Sequence, residues 1–507
     1  MARALMIQGT GSHVGKSVIT AALCRIFRED GINVAPFKAQ NMALNSFVTR
    51  DGKEMGRAQV VQAEAAGIEP HVDMNPILLK PHADKGSQVI IHGKVYGNFS
   101  AADYHRFKSN AKKFVEESYG RLASGHDLIV IEGAGSPAEI NLRENDLANM
   151  AVAHMADAPV LLVGDIDRGG VFASLVGTLE LLDEADRERI KGFVINKFRG
   201  DVSLLRPGLE FLEKRTGLPV LGVVPCFRDV YIQEEDGVRL SDNSGVKEAR
   251  KGAVRVAVIG LPHISNFTDF DPFESDEDVD LRYVAKGERI GRADVVIIPG
   301  TKSTLADLGY VREEGYEAEI KRHLDKRGTV VGICGGYQML GRRIIDPDCV
   351  EGGGRADGLG LLGIETVMKT RKATHQVEAI ATAGGYRLSG YEIHMGDTAY
   401  VEGASPLFLI TLRSGRPVSV NDGAVSLDGR VWGTYMHGIF ENDCFRRDLI
   451  ERVKTRKGLC DNGMENIRSS NYRVIKEEGY RRLAARVRAS LDMEKVYGIA
   501  GLWPATG

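Results

Sequence analysis

A cysteine at the end of an apolar segment is the side chain in this sequence best placed for covalent chemistry. Cys334 follows the β-branched run 330–333 and precedes two glycines, Gly335 and Gly336. Small residues at a strand-to-helix junction allow a sharp turn that holds the thiol clear of the backbone. The positive end of the following helix favours the thiolate, which is the reactive nucleophile. The alternative for such a residue is a buried structural cysteine.

A histidine later in the chain supplies the base that such a thiol requires. The strand-like segment 431–436 leads directly into His437. A lone histidine is usually structural, but beside a cysteine it generates the thiolate and later protonates the leaving amine. The strands that precede Gly300 and Cys334 are expected to lie side by side. The backbone N–H groups after Gly300 and at Gly335 would then form an oxyanion hole.

A glycine-rich loop near the N-terminus has the residue types that hold the phosphates of a nucleotide. It covers residues 9–17, between an apolar segment, 4–8, and a helix with one apolar face. The backbone N–H groups and the helix dipole bind phosphate oxygens, the lysine neutralises the outer phosphates, and the serine ligates magnesium. Threonine stands where the first glycine is usual. The candidate ATP-binding residues of this loop are Thr10, Gly11, Gly15, Lys16 and Ser17, of which Ser17 is also a candidate magnesium ligand.

Further apolar segments alternate with helix-length segments, which predicts a doubly wound parallel sheet in this half. Ligands collect at the carboxyl ends of the strands in such a sheet. Several of the segments end in polar residues, so that edge is the expected binding site. Strands are predicted at 128–132, 160–165, 193–197 and 220–225, and helices at 106–123, 171–189 and 203–216.

Polar side chains at the strand ends are the remaining candidates of this half. Glu132 is the candidate second magnesium ligand, with an ordinary strand-end glutamate as the alternative. Asp165 is interpreted equally as binding metal, substrate carboxylate or phosphate and as part of a helix-capping loop. Asn196 is a weaker candidate for reading the nucleotide base. One cation and two amides after the short strand 33–37 are placed to hold a carboxylate-rich substrate, unless they form a solvated loop. They are Lys38, Gln40 and Asn41.

Composition excludes several other classes of protein. The 507 residues carry 66 Lys and Arg against 69 Asp and Glu, so the charge balance predicts no nucleic-acid partner and no membrane surface. No apolar run reaches the ~20 residues of a membrane span. Six cysteines occur singly and without metal-ligand spacing, which is typical of the reducing cytoplasm. A chain of this length predicts about two to four domains.

The pattern of strands and helices starts again after a polar segment that contains glycines. We expect an ATP-binding domain at 1–233, a linker at 234–253 and a second α/β domain at 254–450. The remaining residues, 451–507, are expected to form a helical extension with a helix at 472–491. The predicted fold is therefore a P-loop parallel-sheet domain followed by another α/β domain.

The motifs of the N-terminal half together resemble the synthetase half of the cobyric acid synthase family, which is similar to dethiobiotin synthetase. The matching segments are 9–17, 37–42, 74–81, 132–135 and 164–173. The resemblance implies ATP and Mg²⁺ as ligands, with Lys16, Ser17 and Glu132 as binding residues. The aspartate that completes the magnesium site of dethiobiotin synthetase has no counterpart, and Glu54 and Arg57 stand in that region.

The C-terminal half resembles class I glutamine amidotransferase domains, in the branch found in cobyric and cobyrinic acid amide synthases. The resemblance implies that Cys334 forms a γ-glutamyl thioester and that His437 is its partner. Segment 391–396 also matches this branch and is expected near the glutamine pocket or the domain interface. Most class I enzymes have a glutamate two residues after the histidine, where Ile439 stands here. We therefore expect a working Cys–His dyad and assign no residue as its third member. We interpret the acidic run 269–280 as a solvated loop without chemistry.

An ATP loop and a glutaminase dyad in one chain predict a glutamine-hydrolysing amide ligase. ATP activates a carboxylate as an acyl phosphate, and glutamine supplies the ammonia locally. The resemblance implies a corrinoid substrate, adenosylcobyrinic acid a,c-diamide, amidated on its b, d, e and g side chains. Cobyrinic acid a,c-diamide synthase is the nearest alternative, although segments 37–42 and 165–170 favour the cobyric acid synthase family. Two further alternatives are a partitioning-type ATPase and a non-catalytic binding module. Partitioning-type ATPases carry a second lysine in the phosphate loop, and Gly11 stands at that position here.

Overall fold

Two largely parallel six-stranded sheets organise the protein, one in each half of the chain. The computed structural model describes residues 2–82, 86–227, 230–233, 250, 252–458 and 471–502. Strands and helices alternate in both halves, which confirms the predicted α/β class. The segment predicted as a linker, 234–253, lies mostly outside the described residues. The domain boundaries given above therefore stay predictions.

The N-terminal sheet has the order β12-β11-β10-β1-β9-β2, and all its neighbouring strands are parallel. A smaller sheet, β3-β6-β7-β8, and the hairpin β4–β5 lie beside it. The strands of this half are β1 (Arg3–Gly9), β2 (Val34–Phe37), β3 (Gln40–Met42), β4 (Ser46–Val48), β5 (Glu54–Gly56), β6 (Ile77–His82), β7 (Gly86–Ile91), β8 (Lys94–Ser100), β9 (Leu128–Glu132), β10 (Val160–Asp165), β11 (Ile190–Phe198) and β12 (Val220–Pro225).

The register of the central strands brings the phosphate loop and a carboxylate together. Ile7 of β1 pairs with Glu132 of β9, so both strands end at the same edge of the sheet. The helix predicted at 171–189 is instead two helices, because the Asp183 side chain accepts the Asp186 N–H and caps a new one. The helices of this half are α1 (Lys16–Glu29), α2 (Arg57–Ala66), α3 (Ala101–Gly125), α4 (Met150–Met155), α5 (Val171–Leu181), α6 (Glu184–Arg189) and α7 (Val202–Thr216).

The C-terminal half combines a parallel sheet, β14-β13-β15-β16-β24 with β23 antiparallel at its edge, and a mainly antiparallel sheet built on β19 and β20. Its strands are β13 (Val254–Ile259), β14 (Val279–Val284), β15 (Val295–Ile298), β16 (Thr329–Ile333), β17 (Arg343–Asp346), β18 (Gly354–Asp357), β19 (Ile364–Ala381), β20 (Arg387–Tyr400), β21 (Phe408–Arg413), β22 (Arg416–Asp422), β23 (Ala424–Val425), β24 (Val431–Thr434) and β25 (Met436–His437). Its helices are α8 (Asp271–Glu274), α9 (Thr304–Glu313), α10 (Tyr316–Asp325), α11 (Gly335–Leu340) and α12 (Asp443–Lys457).

The acidic run 269–280 is not the solvated loop that we expected from its charge. Asp269, Asp271 and Asp276 are buried in it. The aromatic rings between them explain the difference, because Phe270 and Phe273 are fully buried in the core of this half. Burial of these rings draws the neighbouring carboxylates inside.

The C-terminal tail packs against the N-terminal half of the chain. It contains α13 (Tyr472–Ser490) and α14 (Met493–Ile499). Tyr480 and Leu483 are buried in the same apolar cluster as Ile19 and Leu23 of α1. The tail therefore completes the core behind the N-terminal sheet. No helix within the described ranges has both the length and the apolar character needed to cross a membrane.

Candidate active sites

Cys334 lies at a strained turn between β16 and α11. Its φ is 51°, in the left-handed region that residues with a side chain rarely adopt. Gly336 is required here, because a Cβ at this position would lie 2.0 Å from the carbonyl oxygen of Ile298. The turn buries the thiol and places its sulfur 3.6 Å from the carbonyl oxygen of Ile393. The geometry is the strand-to-helix turn expected from the sequence.

His437 lies beside Cys334 and is held from behind by Asp269. The Asp269 carboxylate is 2.6 Å from Nδ1 of His437 and also accepts the N–H of Gly438 at 2.8 Å. The Cys334 side chain also lies close enough to this imidazole to raise its pKa. Burial alone would lower the pKa of His437, but Asp269 and Cys334 outweigh it and raise this pKa to about 10. The ring is therefore an imidazolium at neutral pH.

Asp269 occupies the position of the third member, which the sequence left unassigned. Ile439 is a buried core residue, so the carboxylate that binds the histidine comes from another segment of the chain. Sequence reasoning missed Asp269 because the acidic run looked solvated. The interleaving of Asp269 with Phe267, Phe270 and Phe273 was the available signal of burial.

The candidate oxyanion residues lie on either side of this cysteine–histidine pair. β15 and β16 are parallel neighbours, as predicted. A Cβ built on Gly300 would be 3.2 Å from Cε1 of His437, and one built on Gly335 would be 3.2 Å from the backbone nitrogen of Thr301. The structure thus brings Gly300, Thr301 and Gly335 around the cysteine, with tight packing at the two glycines.

The pocket at Cys334 is formed by both halves of the chain. Ile393, His394 and Met395 of β20 line it, together with Lys80 from β6. Tyr391, from the same strand, donates a hydrogen bond to the carbonyl oxygen of Ser46 at 3.2 Å. Segment 391–396 is therefore both beside the pocket and at the contact between the halves, which were the two positions expected from the sequence.

In the N-terminal half, the loop 9–17 wraps around the lysine predicted to bind phosphate. Lys16 Nζ donates to the carbonyl oxygens of Gly11 and Gly135, both at 2.8 Å. Gly15 has a φ of 103°, and the backbone N–H of Thr10 donates to Val163 at 3.0 Å, which ties the loop to the sheet. This is the strand–loop–helix arrangement of a phosphate site.

Glu132 is the polar centre of this edge of the sheet. It accepts hydrogen bonds from Ser17 Oγ at 2.8 Å, Lys38 Nζ at 2.9 Å and Gln62 Nε2 at 2.5 Å. Burial would raise the pKa of the carboxyl, but Lys38 and these hydrogen bonds outweigh it and lower the pKa. A buried carboxylate beside the loop serine fits Mg²⁺, which takes one or two carboxylates and completes its shell with water and phosphate. The described residues offer no cluster of three or more His, Cys, Asp or Glu for another metal.

The other sequence candidates are near this edge, with different partners. Asn196 donates to the Val14 carbonyl oxygen at 2.8 Å and so supports the phosphate loop. Asp165 pairs with Lys197 at 2.9 Å. Gln40 accepts from Tyr104 at 2.6 Å, and Asn41 donates to Gln59 at 3.0 Å, in β3 beside the end of β2. The structure therefore brings Lys38, Ser17 and Glu132 into direct contact and leaves these other side chains around them.

Glu54 and Arg57 belong to the contact between the halves rather than to the phosphate site. Glu54 lies between two ammonium groups, 2.8 Å from Lys80 and 2.5 Å from Lys372 of the C-terminal half. Arg57 binds Gln233 and, at 3.2 Å, Glu441. They do not replace the missing magnesium aspartate.

One hairpin connects the two sites physically. The backbone carbonyl oxygen of Ser46, in β4, accepts a hydrogen bond from the Asn266 side-chain amide at 3.0 Å. Asn266 lies three residues before Asp269 in the chain. Tyr391, also bonded to Ser46, stacks on His437 with ring centroids 5.3 Å apart. The same hairpin leads into α2, which carries Gln62 to Glu132. One continuous stretch of chain therefore contacts both sites. It reaches His437 through Tyr391 and Glu132 through Gln62.

Comparison with known proteins finds relatives that match over both halves. Residues 5–240 match the CobQ/CobB/MinD/ParA nucleotide binding domain, and residues 255–445 match the CobB/CobQ-like glutamine amidotransferase domain. A protein named cobyric acid synthase from Thermoanaerobacter sp. (strain X514) is 53% identical over 98% of this chain and 99% of its own length. Those of Syntrophobacter fumaroxidans and Clostridium acetobutylicum are each 51% identical, over 99% and 98% of this chain and 99% of their own lengths. The similarity is continuous through both candidate sites, and the chain belongs to the cobyric acid synthase family.

Proposed function

We propose that this chain releases ammonia from glutamine at Cys334 and uses it, with ATP, to amidate a corrinoid. The proposed substrate is adenosylcobyrinic acid a,c-diamide, converted on its b, d, e and g carboxylates to adenosylcobyric acid in cobalamin biosynthesis. Membership of the family makes the chain a glutamine-hydrolysing amide ligase. The observation that carries the proposal is the arrangement of Cys334, His437 and Asp269 in a chain that also holds a phosphate loop.

The first part of the reaction is the hydrolysis of glutamine. The Cys334 thiolate attacks the side-chain carbonyl carbon, and the developing oxyanion accepts backbone N–H groups after Gly300 and at Gly335. His437 gives its proton to the departing ammonia, while Asp269 holds the ring in position. Water then cleaves the γ-glutamyl thioester, releasing glutamate and regenerating the thiol.

The second part activates the carboxylate that receives the ammonia. Lys16 and the loop N–H groups, with Thr10, Gly11 and Gly15, hold the phosphates of ATP while the acceptor carboxylate takes the γ-phosphate. Ser17 and Glu132 would hold Mg²⁺, which neutralises phosphate charge when bound. Ammonia attacks the resulting acyl phosphate, and inorganic phosphate leaves as the amide forms.

Polar residues around the phosphate loop are the proposed contacts of the acceptor. Lys38 and the amides of Gln40 and Asn41 suit a substrate with several carboxylates, and Asp165 lies at the neighbouring strand end. Asn196 holds the loop backbone in the ATP site. We also place the reaction in the cytoplasm, which agrees with five free cysteines in the described ranges.

Mass spectrometry of the corrinoid tests the proposal. The purified chain is incubated with ATP, Mg²⁺, glutamine and either cobyrinic acid or its adenosylated a,c-diamide. Four conversions of carboxyl to carboxamide on the diamide are expected. Two conversions on cobyrinic acid, with none on the diamide, would assign cobyrinic acid a,c-diamide synthase activity instead. No conversion of either corrinoid would overturn the proposal.

The nitrogen donor gives a second test. Cys334→Ala should abolish synthesis supported by glutamine and leave synthesis from ammonium salts, because only the thiol step is lost. Equal loss with both donors would contradict a separate ammonia-producing site.

A further inference from the structure

A basic cleft lies at the end of the C-terminal parallel sheet that is opposite to Cys334. It is formed where β13, β15, β16 and β24 begin, and its volume is about 1170 Å³. Nine arginine and lysine side chains line this cleft against three acidic ones, although the whole chain has a net charge of -3. The reaction steps proposed above use none of these side chains.

The acidic side chains of the cleft neutralise only part of this charge, because each forms an ion pair with a single cation. The pairs are Asp294 with Lys457 at 2.7 Å, Asp428 with Arg430 at 2.7 Å and Glu319 with Arg322 at 3.8 Å. The other six cations have no carboxylate within ion-pair distance in the part of the chain that the structure describes. These six are Arg255, Arg289, Arg292, Lys326, Arg327 and Arg456.

Helix ends account for only some of these cations. A cation near the last turn of a helix is stabilised by the helix dipole, which explains Lys326 after α10 and Arg456 in α12. Arg289 and Arg292 lie in the loop between β14 and β15, and Arg255 lies in β13. These three are not part of a helix end, so their concentration in the cleft needs another explanation.

Mutual repulsion of the cations acts on Arg456. Burial lowers the pKa of its guanidinium most, Arg430 and Arg452 lower it further, and Asp428 opposes them. The guanidinium donates to the Thr329 hydroxyl at 2.7 Å and to the Arg452 carbonyl oxygen at 3.3 Å, and neither acceptor is charged. A bound anion would relieve this repulsion.

Arg327 carries its guanidinium on a strained turn at the cleft. Its φ is 63°, two residues after the end of α10, where the left-handed residue that ends a helix is usually glycine. The next residue, Gly328, lets the turn pack closely, because a Cβ there would lie 2.1 Å from Nε2 of His323. Backbone strain of this kind is concentrated at functional sites, so it is a second indication that the cleft binds a ligand.

We propose that this cleft binds a small molecule with two or more linked phosphate groups. A phosphate group carries up to about two negative charges, so a single one would leave most of the six unpaired cations without a partner. Five of the six are arginines, whose planar guanidinium groups bind phosphate oxygens through two parallel hydrogen bonds. The volume also accommodates a nucleoside attached to the phosphate chain. The site is distinct from the phosphate loop at Lys16, which lies in the other half of the chain.

Inorganic tripolyphosphate tests the cleft without a nucleoside. The full chain carrying Lys16→Ala is titrated by calorimetry without Mg²⁺, because Lys16 belongs to the other phosphate site. One equivalent should bind, and the further changes Arg289→Gln, Arg292→Gln and Arg327→Gln should weaken this binding about tenfold or more. Absence of binding to the Lys16→Ala chain would overturn the proposal without reference to the cleft variant.

A matched control separates the cleft from the charge of the whole protein. Three exposed arginines outside the cleft, replaced in the same background, change the net charge equally and should leave the affinity unchanged. They are Arg106→Gln, Arg215→Gln and Arg482→Gln. Equal weakening in both triple variants would show that only the overall charge attracts the anion and would overturn the site.

Thermal unfolding shows whether the cleft variant is folded. Its Tm should be unchanged or higher, because three mutually repelling cations are removed. Should the Tm fall, Arg292→Gln alone, at an exposed position, should still weaken binding, and an unchanged affinity would overturn the proposal.

ATP and a short RNA oligonucleotide identify the class of ligand in the same titration. Tighter binding of ATP than of tripolyphosphate, lost with the cleft arginines, would assign a nucleotide to the site. Equal binding would assign the phosphate chain alone, and either result supports the proposal. Tighter binding of the RNA than of both, lost with the same arginines, would assign the cleft to nucleic acid and overturn it.

Discussion

The Asp269 carboxylate lies 2.6 Å from Nδ1 of His437, although the two residues are far apart in the chain. Asp269 comes from the loop after β13, whereas His437 ends β25. The same carboxylate accepts the N–H of Gly438, so it fixes the backbone as well as the ring. It both orients the imidazole and stabilises its charged form.

Replacing this carboxylate should impair glutamine hydrolysis. Asp269→Asn keeps the shape but removes the charge that raises the pKa of His437, so kcat for ammonia release is expected to fall at least ~100-fold. Synthesis from ammonium salts should persist. Glu277→Gln, exposed in the same acidic run, is the control. Wild-type glutaminase activity in Asp269→Asn would show that the carboxylate only supports the fold.

The pH dependence of glutamine hydrolysis should differ between the wild type and Asp269→Asn in a defined direction. The pKa of His437 is about 10, above its ordinary 6.5, so the imidazolium is lost only as pH rises through about 10. The alkaline limb of glutaminase kcat/KM should therefore move to lower pH in Asp269→Asn. The stabilisation from the charged ring is complete below pH 6.5 and is lost toward pH 10. The difference in Tm between the wild type and Asp269→Asn should therefore decrease as the pH rises toward 10. A constant difference from pH 6 to 10 would contradict the assignment of Asp269 as the carboxylate that keeps His437 charged.

Local sequence patterns were enough to locate the candidate nucleophile, its candidate base and the phosphate loop. Each of these depends on a short segment whose spacing already specifies a strand and a turn, as at 9–17 and 330–336. The strands at Leu128–Glu132, Val160–Asp165 and Val220–Pro225 are found where apolar runs predicted them. Such strands can be recognised in a sequence because both of their faces are buried, so nearly all of their residues are apolar.

Side chains whose partners come from distant segments could not be predicted in the same way. From the sequence alone, a charged residue is expected to be exposed. Burial of Asp269 and Glu54 can be recognised only when their partners in the fold are known. Glu54 meets Lys372 across the two halves, and no spacing in the sequence encodes that contact. The antiparallel sheet of β19 and β20, which supplies Lys372, was also absent from the predictions.

The buried charge cluster of Glu54 with Lys80 and Lys372 should be essential for stability. Glu54→Gln would leave two buried ammonium groups without their anion, at a cost of about 3–5 kcal/mol. Thermal unfolding is the measurement, and Glu69→Gln, on an exposed residue, is the control. An unchanged Tm in Glu54→Gln would show that water solvates the two lysines in place of the carboxylate.

Acid titration gives an independent check on the same cluster. Burial would raise the pKa of Glu54, but Lys372 and Lys80 outweigh it and hold the pKa at about 2. Its stabilisation is therefore present above pH 4.5 and is lost as pH falls through about 2. The difference in Tm between the wild type and Glu54→Gln should shrink over that range. It should be constant between pH 4.5 and 6, below the pKa of about 7 to which burial lowers Lys372.

The phosphate loop should not tolerate a side chain at its last glycine. Gly15→Ala requires a φ of 103°, and the new Cβ would lie 2.0 Å from Nδ2 of Asn196. ATP binding, measured by calorimetry, should weaken strongly while basal glutaminase activity remains. The double variant Gly15→Ala/Asn196→Ala removes the collision but not the strained φ, so binding should recover only in part. Full recovery would show that the collision alone excludes alanine.

The C-terminal tail should stabilise the half of the protein that is distant in sequence. Leu483 of α13 is buried with Leu5 and Ile19, so Leu483→Ala is expected to cost about 2–5 kcal/mol. Val474, which is 60% exposed on the same helix, gives the matched control Val474→Ala with no expected change. Hydrogen exchange should increase in β1, α1 and β9 while the strands around Cys334 stay protected, because the tail core does not include them. Increased exchange confined to residues 254–458 would instead assign the tail to the amidotransferase half.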